Sequence, residues 1–184
     1  MRLLLWLSLV LLSNSIYSQG TYWKLSSGEI QFLSDAPLEL ITASSKEVQG
    51  IIDIKQRTFA FAVFINSFEG FNSPLQQQHF NENYLESDRF PKAIFKGRII
   101  EKIDLQSEGT FIIRAKGMLN IHGIEQERII KSSITIRDGK LQLESDFSVP
   151  LSDHNITIPR IVNQKIAEEI QVSIQGEMEQ LQRS

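Results

Sequence analysis

The stretch TFAFAVFIN, Thr58 to Asn66, alternates without a break. Successive side chains of an extended strand point to opposite sides. Phe59, Phe61, Val63 and Ile65 therefore share one face, and Ala60, Ala62 and Phe64 share the other. Both faces are apolar, which predicts a strand covered on both sides. Two architectures fit it: the middle of a sandwich, or a barrel wall with small residues under a covering element and aromatic rings pointing inward.

Alternation rather than a helical period dominates outward from this run. Further strands are predicted at Glu29 to Ser34, Leu38 to Ser44, Val48 to Lys55, Ala93 to Lys102, Thr110 to Leu119, Glu125 to Arg137, Lys140 to Val149 and Glu169 to Glu179. Their close spacing indicates an antiparallel meander. Asp138-Gly139, between two alternating runs, is the strongest hairpin signal, because a type I′ turn needs positive φ at both central residues. Ser107-Glu108-Gly109 predicts another turn.

Two segments break the strand pattern. In Ser73-Pro74-Leu75-Gln76 the serine can cap a helix, proline suits its first position, and the glutamine can complete a capping box. That helix is expected to run to about Leu85, with Leu75, His79, Phe80 and Tyr84 toward the core. Pro91 disfavours helical geometry at Phe90, so the chain is extended before it enters the strand at Ala93. Pro159 to Glu168 is the second helical candidate, with Ile158, Ile161, Val162 and Ile166 along one side.

The amino-terminal residues have the layout of an export signal. Arg2 precedes an apolar run from Leu3 to Leu12, and a polar stretch ends at Ile16-Tyr17-Ser18. Cleavage is expected after Ser18, leaving residues 19–184 as one soluble domain. The apolar run is too short for a bilayer that needs roughly 20 helical residues. Removing the leader takes one of the 19 basic residues and none of the 22 acidic ones, moving the net charge from −3 to about −4. That balance argues against nucleic acid as a partner. The chain has no cysteine, which excludes disulfides and an acylated lipoprotein cysteine.

Catalytic chemistry is sparse. With no cysteine, no Gly-x-Ser-x-Gly elbow and no phosphate-cradling glycine loop, the chain is read as a non-enzyme without cofactors. His79, Glu82 and Glu86 stand three and four residues apart, so a helix could bring an imidazole and two carboxylates to one face. A solvated face is the reading adopted for the two glutamates, and no metal is expected. His79 then fixes the helix on the sheet or meets a ligand head group. His122 reads as a turn residue and His154 as a loop residue. Arg89 beside Phe90, Glu86 and Asp88 is either a surface ion pair or a cation near a channel mouth that contacts a head group.

HFNENYLESDRFPKAIFKG, residues 79–97, resembles the characteristic segment of the YceI-like, polyisoprenoid-binding family: a histidine-led helix, an aromatic-proline pair, and a strand carrying an aromatic residue. VQGIIDIK and TFAFAVFINSF before it, and KGMLNIHGIEQERII and EIQVSIQGE after it, agree in order and spacing. The resemblance spans roughly residues 22–178. It implies an all-β, lipocalin-like antiparallel barrel of about eight strands with one or two short helices. It also implies export to the periplasm or beyond, and an apolar channel for an isoprenoid or similar amphipathic lipid. The stretch EIQFLSDAPLELITASSKEVQG is more charged than many members at this place, a departure that would narrow the channel.

The candidate channel walls are Phe59, Phe61, Val63, Phe68, Phe80, Tyr84, Phe90, Phe95, Ile99, Phe111, Ile113 and Phe147. Core packing is the competing reading for each, because a filled barrel and a hollow one write the same alternation. Two functions follow: a secreted carrier that sequesters a lipid, or a filled barrel whose outer face binds an envelope protein. Pairing of an exposed sheet edge with a second copy, giving a homodimer, is left open.

Overall fold

The computed structural model describes residues 22–104 and 107–181, so the leader expected over Met1 to Ser18 lies outside the described residues. The described chain forms nine strands: β1 (Tyr22–Ala36), β2 (Glu39–Ser45), β3 (Gln49–Asp53), β4 (Thr58–Phe64), β5 (Lys92–Ile99), β6 (Gly109–Ile121), β7 (Ile124–Arg137), β8 (Lys140–Pro150) and β9 (Glu169–Gln180). All pairings are antiparallel, and β9 returns to β1 to close the sheet on itself.

Nine strands make eight walls. On one edge of β1 the partners run from Asp53 opposite Tyr22 to Glu39 opposite Ala36 in a single register. β2 and β3 are thus two halves of one wall, interrupted at 46–48. The result is the closed eight-walled antiparallel barrel that the resemblance led one to expect, one of the two architectures that the alternation allowed. Closure leaves few free backbone groups at a sheet edge, the condition that permits a small β protein to avoid edge pairing.

The interruption has a consequence for the wall. β3 pairs with β4, but β2 diverges from it and meets the following segment instead, through a bridge between Ser44 and Glu69 and hydrogen bonds from Asn72 and Gln76. The gap is covered by residues 65–73 and by the helix α1 (Pro74–His79), which continues as a π-helical turn over Phe80–Tyr84.

Turn chemistry follows the expected pattern. Asp138 and Gly139 have φ of 51° and 72°, and His122 and Gly123 have 52° and 74°, which suits type I′ geometry in both two-residue hairpins. Ser73 caps α1 by accepting from the Gln76 N–H at 3.2 Å. The Gln76 carboxamide, however, accepts from the N–H of Asn72 rather than from that of Ser73.

The second helical expectation is corrected. Pro159 to Glu168 contains a single 3-10 turn, Arg160–Val162, and Ile161 is 91% exposed. The backbone of this segment is engaged elsewhere: Gln164 C=O accepts from the Leu38 N–H at the β1–β2 turn, and the Ala167 N–H donates to Ser34 Oγ. β1 is also much longer than Glu29 to Ser34, since Trp23 and Leu25 extend it against β9 across a bulge between Leu25 and Ser27.

Candidate functional site: a two-chamber apolar channel

Alternation along each wall sorts the interior into layers. At one end the barrel is solid: Trp23, Ile134, Leu141 and Met178 are at most 1% exposed and pack with Ile52, Phe59, Ile99 and Ile113. Toward the other end the interior opens. A small inner chamber of about 100 Å³ is followed by a larger outer one of about 420 Å³. The larger is within the roughly 300–1,000 Å³ of ordinary ligand sites.

The chambers share Ile30, Val63, Ala93, Leu119 and Phe147, so the two adjoin at a waist formed by these residues. On β4 the order is plain: Phe59 and Phe61 face the inner chamber and Val63 the waist, and Ile65, just past the strand, faces the outer chamber. β8 repeats it with Leu143 and Ser145, Phe147, and Val149. Ser132 and Ser145 are the buried hydroxyls of the inner chamber, and they are hydrogen-bonded to each other at 3.0 Å.

α1 and its π-helical turn roof the outer chamber. A π turn has more residues per turn than an α turn, and here it closes with the Leu85 N–H donating to the Phe80 C=O. That spacing brings Phe80, Tyr84 and Leu85 together onto the barrel side, where all three line the chamber. Phe80 lies among Phe32, Phe68 and Phe71 at centroid distances of 5.4, 5.8 and 5.1 Å. Rings at such separations attract beyond simple burial. Burial raises the Tyr84 hydroxyl above the ordinary tyrosine range.

The mouth is held by polar contacts. Glu39 accepts from Gln76 Nε2 at 3.0 Å, and the Lys165 ammonium stands 4.0 Å from its other oxygen. The β1–β2 turn, the start of α1 and the segment before β9 are thereby joined at one carboxylate.

Of the residues expected to wall a channel, Phe59, Phe61, Val63, Phe95, Ile99, Ile113 and Phe147 line the inner chamber, and Val63, Phe68, Phe80, Tyr84 and Phe147 line the outer, with His79 at its helix. Three expected residues are placed elsewhere. Phe90 packs edge-on against His122 at 4.8 Å over the β6–β7 turn, in space left by Gly123. Phe111 packs against the solid end. Arg89, with its side chain 74% exposed, lies over Phe90 and pairs with Glu86.

The helical face of His79, Glu82 and Glu86 is also dispersed. Gln78 donates to both oxygens of Glu82, while Glu86, at φ 43°, turns toward Arg89 and His122. Among the described residues no group of three or more acidic or histidine side chains is arranged to hold a metal. His154, expected as a loop residue, ends a 3-10 turn and is fully buried: its Nδ1 lies 3.1 Å from the Ile124 C=O, and burial lowers its pKa, with the Arg128 guanidinium adding to the effect.

Sequence reading missed Ile30, Phe32 and Phe71. Ile30 and Phe32 stand two apart in the predicted strand EIQFLS, so alternation carried the signal, obscured by Glu29 and Gln31 on the outer face. Of the charged residues in the stretch that suggested a narrowed channel, Glu29 is on the outer face with Gln31, and Glu39 lines the outer chamber, where Gln76 and Lys165 engage it. Phe71 is in a loop, where no period exists to reveal it.

A family model described as "YceI-like domain" matches residues 26–178. Among solved structures, a polyisoprenoid binding domain from Saccharophagus degradans implicated in plant cell wall breakdown aligns with TM-score 0.74 and 13% identity, covering 89% of this chain and all of that one. Burkholderia cenocepacia BcnA aligns with TM-score 0.67 and 13% identity over 82% of this chain and 95% of its own. The Campylobacter jejuni YCEI protein aligns with TM-score 0.53 and 12% identity over 96% and 91%. A comparison with curated proteins finds no significant match.

Proposed function

Because the chain belongs to the YceI-like domain family, we propose that it binds an amphipathic lipid, an isoprenoid, with the apolar tail threaded through the waist of the barrel and the polar head at the mouth. One observation carries this reading: two adjoining chambers inside the barrel, walled by aromatic and branched side chains, with a packed core beyond the inner one and a helix over the outer. Burial of such a tail contributes about 0.8 kcal/mol per methylene and needs no catalytic group. The similarity to a polyisoprenoid binding domain points the same way.

The role is that of a carrier in the periplasm or outside the cell, which rests on the export signal read at Met1 to Ser18. A wholly filled barrel acting through its outer face is disfavoured by the outer chamber, although the Trp23 end is packed as that alternative requires.

Native mass spectrometry of the protein purified gently from its own envelope fraction, followed by organic extraction, tests the reading. A stoichiometric isoprenoid mass is expected. An apo mass that persists after incubation with prenols and quinones would sink it.

A further inference from the structure

The shape of the channel specifies more than a class of ligand. Phe59 and Phe61 on β4 and Phe95 on β5 stand together in the inner chamber, with ring centroids 4.8 Å apart for Phe59 and Phe95 and 6.3 Å for Phe59 and Phe61. None of the three lines the outer chamber. They also pack into the solid core that contains Trp23, Leu141 and Met178. A tail entering at the helix end passes the waist and then meets these rings, behind which Trp23, Leu141 and Met178 are fully packed.

Resting on the lipid-binding reading above, we propose that Phe59, Phe61 and Phe95 are a tail stop that sets the length of the bound chain. An apolar cavity of roughly 150 Å³ takes one benzene. By that measure, about 25 Å³ per carbon, the inner chamber, at about 100 Å³, takes about four carbons, most of one isoprene unit. On the same scale the outer chamber, at about 420 Å³, takes three or four. The ligand is thus an isoprenoid of about four units, the size of a geranylgeranyl chain, held with its last unit against the rings. Longer chains leave their surplus in water at the mouth and gain nothing from it.

The test is a series of dissociation constants for geraniol, farnesol, geranylgeraniol and solanesol in one detergent, with the delipidated protein. Affinity is expected to rise at least about tenfold per added unit as far as geranylgeraniol and then to level off at solanesol. Two variants move the level in opposite directions. Ala115→Leu fills the inner chamber and brings the plateau down to farnesol; Phe61→Leu opens it and restores a gain beyond geranylgeraniol. Melting curves establish which variants are folded, and either one suffices for the comparison.

Affinity that keeps rising to solanesol, or a plateau unmoved in a folded variant, overturns the tail stop while leaving lipid binding in place. Failure of the wild-type protein to bind any prenol overturns both.

Discussion

The ring of Phe61 occupies the space that a side chain on Gly50 would need. The two residues face each other across the β3–β4 ladder, and a Cβ on Gly50 would stand 2.2 Å from the ring. Gly50→Ala therefore forces the ring to move, and the open direction is the inner chamber that it already lines. The expected outcome is a loss of about 1–3 kcal/mol in denaturant unfolding. Weaker binding of long prenols should accompany it, read by titration beside the unfolding curve.

Gly97 and Gly117 are directly paired between β5 and β6, and neither strand leaves room for a side chain at that point. A Cβ on Gly97 would meet the Lys116 carbonyl oxygen at 2.1 Å, and one on Gly117 would meet the Lys96 carbonyl oxygen at 2.2 Å. Backbone cannot yield as a side chain does, and paired glycines mark a tight bend of a barrel wall. Either substitution to alanine should cost about 3 kcal/mol or more, beyond the typical point mutation. Urea midpoints of the two variants against wild type make the measurement; a shift no larger than that of an exposed-strand control would refute the close approach.

His154 makes stability depend on pH. Its folded pKa lies below the ordinary value of 6.5, because burial penalises the imidazolium. The unfolded chain thus binds the proton more readily, and stability rises with pH across this interval. The contribution is fully present above about pH 6.5 and is lost as pH falls from there toward the folded pKa. Melting temperature is expected to drop between neutral and mildly acidic pH in the wild-type protein. His154→Gln should flatten that part of the profile, and an unchanged slope in the variant would assign the effect to other groups.

Arg89→Ala is expected to be nearly silent. Its guanidinium pairs with Glu86 at 3.4 Å on the surface, an arrangement worth about 0–0.5 kcal/mol. It does not line either chamber. Equal affinities of wild type and variant for a prenol, and equal affinities for its phosphate, are the expected result. A selective loss of the phosphorylated ligand would place Arg89 at the head group after all.

The strands and turns were legible in the sequence because their causes are local. Alternation in TFAFAVFIN reports a strand and its inward face, Asp138-Gly139 reports a tight hairpin, and Ser73-Pro74 reports a helix start, each through geometry confined to a few residues. The order of four segments then identified the family. Long-range closure decided the rest. That β2 and β3 form one broken wall follows from their common register on β1, and the breach left by that break is what α1 covers. Pro159 to Glu168 failed to become a helix because Leu38 and Ser34, more than a hundred residues away in sequence, hold its backbone. Hollowness was decided at the same level: Phe59 and Trp23 alternate like any core residues, and only the way opposing walls meet leaves space beside one and none beside the other.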